Sequence, residues 1–196
     1  MTLRKVYRTM KYLDHHYYHI FNRGAHKAPI FFSRSNYIYC LDLVKKYRDK
    51  YKVTIEAYCL MPNHYHFVVY QEEEGGSISK FIQTIFNAYS QAINLQQHHS
   101  GTLFQGKAKA QEVDSEDYTL RLIRYVHLNP VRAKLVGAPE KWEFSDYCAW
   151  VGVSNGMLTD LSLRDHFFKS SQDYREFVES YKEEADWKAP GSFEPS

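Results

Sequence analysis

The stretch Cys59-Leu-Met-Pro-Asn-His64-Tyr65-His66-Phe-Val-Val69 decides how this chain is read. Met61-Pro62-Asn63 has the chemistry of a turn, and the residues after it alternate as those of a strand do. Successive strand side chains point to opposite faces. His64, His66, Val68 and Tyr70 therefore share one face, while Tyr65, Phe67 and Val69 share the other. Two imidazoles one pleat apart can chelate a divalent metal if a third ligand comes from elsewhere. Two polar residues facing water from a half-exposed strand would leave the same pattern, so the rest of the chain has to choose.

Working outward, Val53–Leu60 reads as the hairpin partner, with Val53, Ile55, Ala57 and Cys59 on one side. The hairpin closes at Glu72-Glu73-Glu74-Gly75-Gly76. Upstream, residues 1–14 read as a basic, loosely structured arm, and the aromatic-rich His15–Asn22 reads as a first strand ended by Arg23-Gly24. Ser33 or Ser35 caps a helix running to about Lys50, with Tyr37, Ile38, Leu41, Val44 and Tyr47 at helical spacing. Downstream, Ser77 opens a second helix to about Gln97, striped by Ile78, Phe81, Ile82, Ile85, Tyr89 and Ile93. The Gly- and Lys-containing loop Ser100–Lys109 leads into a short strand near Ala108–Val113. Asp114-Ser115-Glu116-Asp117 caps a third helix, which carries Tyr118, Leu122, Tyr125, Val126 and Asn129 and is stopped by Pro130.

Strand, helix, strand–strand, helix, strand is the order of an α+β, ferredoxin-like (RRM-like) antiparallel sheet with packed helices. The aromatic segment Trp142–Trp150 is expected to pack back on this body. Phe167–Glu184 reads as a final amphipathic helix, and the Pro- and Gly-containing ending as disordered. The expected organisation is one domain over residues 1–150 and an acidic, partly helical C-terminal extension over 151–196.

At 196 residues, 44% hydrophobic and 24% charged, the chain has the composition of an ordinary soluble globular protein. No apolar run approaches the roughly 20 residues that span a bilayer, and the basic N-terminus has no apolar segment behind it, so neither a membrane anchor nor a secretory signal is expected. Three scattered cysteines suit a reduced compartment, and the cytoplasm is the expected one. The net charge of +2 is unevenly spread: residues 151–196 hold 5 Lys and Arg against 9 Asp and Glu, a net −4, which leaves +6 on residues 1–150. A basic body suits a polyanionic ligand. The 17 tyrosines and 12 phenylalanines are either core fillers or, where interleaved with basic residues, platforms on which bases stack.

Tyr125 and Asn129 are four apart and lie on one face of the third helix. If that helix crosses the histidine face of the sheet, Asn129 supplies an oxygen ligand beside His64 and His66. Mixed nitrogen and oxygen donors suit Mg²⁺ or Mn²⁺, and Zn²⁺ as well. Tyr125, one helical turn away, would then be placed to attack a phosphodiester polarised by the metal. The competing role for Tyr125 is that of a core tyrosine. Arg121, at i−4 on the same face, either holds a phosphate or pairs with Asp117. His127, two residues on, points elsewhere and makes a poor base.

Four segments occur together and in order: Tyr18-His-Ile-Phe-Asn-Arg-Gly24, Ala57–His66, Gly101-Thr-Leu-Phe-Gln105 and Tyr125-Val-His-Leu-Asn-Pro-Val-Arg-Ala133. Over residues 15–150 the chain resembles the single-tyrosine HUH transposases, especially the REP-associated tyrosine transposase branch. The resemblance implies the HUH transposase fold, with His64 and His66 as metal ligands and Asn129 at the position that completes the site. It implies that Tyr125 forms a 5′-phosphotyrosine link with single-stranded DNA and leaves a free 3′-OH. It also implies that hairpin DNA is recognised. Some relatives carry Gln at the position of Asn129. A tryptophan common in the third segment is Phe104 here, which is expected to keep an apolar stacking surface. Tyr89 is a rival nucleophile, disfavoured by its place on an apolar stripe.

Arg23, Lys107, Lys109, Arg121 and Arg132 are the expected DNA contacts, positioning the strand by its phosphates. The reading is a cytoplasmic transposase that cuts and rejoins single-stranded DNA with Mg or Mn, as a monomer or a homodimer. A non-catalytic nucleic-acid-binding module on the same fold is the alternative, and a water-using metal-dependent hydrolase a third.

Overall fold

Four alternating apolar segments can bury both of their faces only by pairing edge to edge between two helical layers. The computed structural model describes residues 12–72 and 76–181. Strands β1 (Tyr17–Arg23), β2 (Val53–Met61), β3 (His64–Gln71) and β4 (Lys109–Val113) form one sheet in the order β2-β3-β1-β4. Every neighbouring pair is antiparallel, which is the ferredoxin-like arrangement.

Helices α1 (Arg34–Arg48) and α2 (Ile78–Gln96) cover one face. Tyr65, Phe67 and Val69 of β3 and Tyr18 and Ile20 of β1 pack there against Val44, Phe81, Ile85 and Tyr89. Ser77 caps α2 by accepting the Lys80 N–H at 3.2 Å, and the whole expected stripe from Ile78 to Ile93 is buried. Helix α3 (Glu116–Arg132) crosses the other face, where Leu122, Tyr125 and Val126 meet Val68. Ser115 is its N-cap, accepting from the Tyr118 N–H at 3.3 Å, with Glu116 and Asp117 in the first turn.

Several boundaries differ from expectation. His15 has φ 61° and lies in a turn, so β1 begins at Tyr17. Pro130 sits inside α3 rather than ending it. A proline inside a helix gives up its own donated hydrogen bond and crowds the carbonyl four residues back, yet the turn that follows is still closed by the Ala133 N–H to the Asn129 carbonyl at 2.9 Å. Within the described part of the expected helix 167–184, Phe167 ends α5 (Ser162–Phe167) and a separate α6 (Ser171–Glu179) follows, because Phe168 is extended and Ser170 caps a new start.

β2 does not keep Val53, Ile55, Ala57 and Cys59 on one side. Its register against β3 passes from Ile55↔Val69 to Ala57↔Val68, which makes Glu56 the extra residue of a β-bulge. Val53 and Ile55 therefore face α1 and α2, whereas Ala57, Cys59 and Met61 face α3. The expectations for residues 1–11, for Glu73-Glu74-Gly75 and for the ending after Tyr181 lie outside the described residues.

The chain after α3 returns to the edge of β2. The Trp142 indole N–H donates to the Leu60 carbonyl at 3.0 Å, and Ser145 and Thr159 make β-bridges to Cys59 and Ile55. Helix α4 (Tyr147–Trp150) is buried there, as are Leu158, Tyr174 and Val178 from the segment after residue 150. Asp146 ties these pieces together. Its Oδ1 accepts from the Tyr58 N–H at 2.8 Å and from His127 Nε2 at 3.0 Å, and its Oδ2 from the Thr159 hydroxyl at 2.8 Å. Among the described residues no helix is long and apolar enough to cross a membrane.

Candidate active site

The two-residue turn Pro62-Asn63 starts β3 at His64 and aims His64 and His66 at α3. Backbone contacts hold this turn: the Gly24 N–H donates to the Asn63 carbonyl and the Ile30 N–H to the Pro62 carbonyl, both at 2.8 Å. Gly24 is needed for its size, since a Cβ there would lie 2.0 Å from the Ala28 carbonyl oxygen. The two imidazoles are 5.1 Å apart between ring centroids and nearly perpendicular, at 84°. His64 is 8% exposed and His66 fully buried.

Helix α3 delivers the other two groups. The Tyr125 ring stands edge-on to His66, with centroids 5.6 Å apart. Asn129, one turn on, donates its amide Nδ2 to the Tyr125 carbonyl at 3.0 Å. Hydrogen bonds with the Asn129 side chain also act on both His64 and the Tyr125 hydroxyl. Arg132 lays its guanidinium 5.4 Å from the Tyr125 ring centroid.

Burial sets the electrostatics. It pulls the His64 imidazole down to about 4, reinforced by the Arg23 charge and partly offset by the hydrogen bond with Asn129. His66 falls well below its ordinary range, through burial first and then its neighbours His19 and His64. Both rings are neutral at neutral pH, the state in which imidazole is a metal ligand. Burial raises the Tyr125 phenol, while Asn129 and Arg132 pull it back.

Among the described residues no three His, Cys, Asp or Glu side chains converge to hold a metal ion. A site centred on the two histidines therefore needs a donor of another kind. Two neutral imidazoles and an amide oxygen form a mixed set that fits a divalent cation with positions left for water and a phosphate oxygen.

Of the expected DNA contacts, Arg23 lies opposite His64 in the β1–β3 register and donates to Gln105 Oε1 at 3.1 Å. Lys109 is exposed on the histidine face, in the cross-strand row His66, Phe21, Lys109. Lys107 is exposed on the loop before it. Arg121 pairs with Asp117 at 3.0 Å, the structural role left open by its spacing. Tyr89 is fully buried and donates its hydroxyl to the Ile30 carbonyl at 2.7 Å, which removes it as a rival nucleophile. Phe104 offers no stacking surface; it packs against Phe86 and Tyr65 in the core. His127 points away from the site, accepting or donating between Tyr174 and Asp146.

Two residues escaped the sequence reading. Asn63 Oδ1 lies 2.6 Å from His64 Nδ1, and His19 Nε2 lies 2.9 Å from His66 Nδ1. Asn63 was visible only as a turn former, and His19 meets His66 only once the register of β1 on β3 is known.

A family model described as "Transposase IS200 like" matches residues 12–129. No curated protein matches the chain in sequence. Among solved structures, a REP-associated tyrosine transposase bound to a REP hairpin superposes with a TM-score of 0.63 at 16% identity, covering 80% of this chain and 98% of that one. A candidate transposase from Deinococcus radiodurans R1 gives a TM-score of 0.42 at 14% identity over 61% of this chain and 94% of its own. The family match takes in the His64–His66 strand, Tyr125 and Asn129 together, and the fold agrees with it: the chain belongs to the IS200-like transposase family.

Proposed function

We propose that this transposase cuts and rejoins single-stranded DNA through a covalent link to Tyr125, with Mg²⁺ or Mn²⁺ held by His64, His66 and Asn129. The observation that carries the reading is the contact of the Tyr125 ring with His66 in the same chain, with Asn129 one helical turn on and its amide on the Tyr125 carbonyl. Held by His64, His66 and Asn129, a divalent cation would supply polarisation of the scissile phosphodiester and charge neutralisation on its oxygens. The Tyr125 oxygen attacks phosphorus and the phenolic proton leaves to solvent. The bond to the 3′-oxygen breaks, that oxygen takes a proton from solvent, and a 5′-phosphotyrosine and a free 3′-OH result. Arg132 and Asn129 favour the ionised phenol, and Arg132, Arg23, Lys107 and Lys109 place the strand by its phosphates. Because one phosphoester replaces another, the step runs in reverse with a new 3′-OH.

Hairpin DNA is the proposed substrate, in line with the REP hairpin bound by the structurally similar transposase. With nucleophile and ligands in one subunit, a monomer is competent. Free Cys40, Cys59 and Cys148 suit work in the reducing cytoplasm.

The test is incubation with Mn²⁺ or Mg²⁺ and a labelled single-stranded hairpin library, followed by denaturation in SDS. A labelled band at protein mass, lost with EDTA and in Tyr125→Phe, is the expected result. Tight binding with no adduct to any hairpin would replace this reading with a binding module. Nicked DNA that survives Tyr125→Phe would replace it with hydrolysis by water.

A further inference from the structure

We propose that His19 is a positioning residue for the metal site: by accepting the Nδ1 proton of His66, it holds that ring in the tautomer whose Nε2 can bind a cation. The inference rests on the metal reading above and concerns a residue to which that reading gives no role.

His19 belongs to β1 and is fully buried. Its neighbour across the sheet is Val68, so its side chain emerges on the histidine face beside His66. The two rings are stacked at 18° with centroids 5.1 Å apart, and His19 Nε2 lies 2.9 Å from His66 Nδ1. Phe21, paired with His66 across the sheet, packs against His19 at 4.8 Å and closes the pair from the side.

A neutral imidazole carries one ring proton, and the nitrogen that holds it cannot bind metal. Occupying Nδ1–H with an acceptor leaves Nε2 as the ligand atom and stops the ring from turning. Ligand histidines ordinarily have such a partner, and its loss weakens metal binding about 10–100-fold.

The other histidine of the pair shows the same construction with a partner of unambiguous polarity. His64 Nδ1 lies 2.6 Å from Asn63 Oδ1. The Asn63 amide is oriented by its own Nδ2, which donates to the Lys27 carbonyl at 3.1 Å, so Oδ1 faces His64 and can only accept. His64 is therefore an Nδ1–H ring. Both ligand rings meet a fixed partner at Nδ1: an amide oxygen from the turn in one case, and His19 from the neighbouring strand in the other.

The experiment combines two readouts on wild type, His19→Phe and His19→Gln, with circular dichroism as the check on folding. Long-range ¹H–¹⁵N spectra of the imidazoles report the His66 tautomer in metal-free protein, and the EPR signal of free Mn²⁺ reports affinity without DNA or turnover. Expected are an Nδ1–H ring for His66 in wild type and Mn²⁺ affinity lower by about 10–100-fold in folded His19→Phe. His19→Gln, whose Oε1 can accept the same proton, should stay within a few-fold of wild type. An Nε2–H tautomer for wild-type His66 overturns the inference. So does Mn²⁺ uptake left unchanged by His19→Phe, in which case the metal reading stands and only the role of His19 falls. A wild type that takes up no Mn²⁺ overturns the metal reading, and this inference with it.

Discussion

Tyr174→Phe tests whether the segment after residue 150 helps to hold the helix that carries Tyr125. Tyr174 of α6 is fully buried, and its hydroxyl lies 2.5 Å from His127 Nδ1. The opposite nitrogen of that ring is 3.0 Å from Asp146 Oδ1. With Nε2–H given to the carboxylate, Nδ1 accepts the tyrosine hydroxyl. Phenylalanine keeps the ring packing against Trp150 and Phe168 and removes one oxygen. A buried nitrogen then loses its donor, which costs about 1–3 kcal/mol. For a chain of this size that lowers Tm by about 2–4 °C per kcal/mol. Urea unfolding at neutral pH measures the loss, and a cycle with His127→Phe isolates the pair, for which a coupling of about 1 kcal/mol or more is expected. A loss and a coupling both under about 0.5 kcal/mol would refute the buried bond. α6 would then be held to α3 by the apolar packing of Tyr174 and Val178 and by Arg124, whose guanidinium lies 4.4 Å from the Phe177 ring and 4.5 Å from the Tyr181 ring.

Three further outcomes are open to measurement. Glu56, buried in the bulge, is pushed up to about 8 by burial and by Asp160 and Asp146. A carboxyl whose folded value is raised loses stability as pH climbs from its unfolded value through the folded one, so Glu56→Gln should gain in Tm over wild type between pH 5 and pH 8. A flat difference across that range would contradict it. His64, lowered to about 4, gives the opposite slope: its contribution is full above about pH 6.5 and is lost as pH falls toward the folded value, a loss of about 3 kcal/mol in metal-free protein. His64→Gln should remove most of that acid lability in urea titrations, and an unchanged profile would count against the burial argument. Arg132→Gln and Lys109→Gln should each reduce the salt slope of single-strand binding by about 0.7, read by fluorescence anisotropy. Of the two, only Arg132→Gln should also slow adduct formation, because only Arg132 touches Tyr125.

Much of the architecture was legible because it rests on local periodicity. The alternation after Asn63 assigns His64 and His66 to one face whatever they pack against, and Ser77 and Ser115 announce α2 and α3 by capping chemistry. The spacing of Tyr125 and Asn129 guarantees that they share a helix face. The motifs that carry the family resemblance lie in these same segments.

Tertiary structure decided what local pattern leaves degenerate. A bulge at Glu56 costs nothing in hydrophobic pattern, yet it turns half of β2 to the opposite layer. Pro130 forbids one hydrogen bond, not the packing that carries α3 past it. That Tyr89 is a bonded core residue while Tyr125 meets His66 follows from which helix covers which face of the sheet. His19 and His66 are 47 residues apart, and only the register of β1 on β3 brings their nitrogens within hydrogen-bonding distance. Which residues share a helix face, or the face of an unbulged strand, is a property of the chain; where a strand bulges and which faces meet depend on pairing and packing between distant segments.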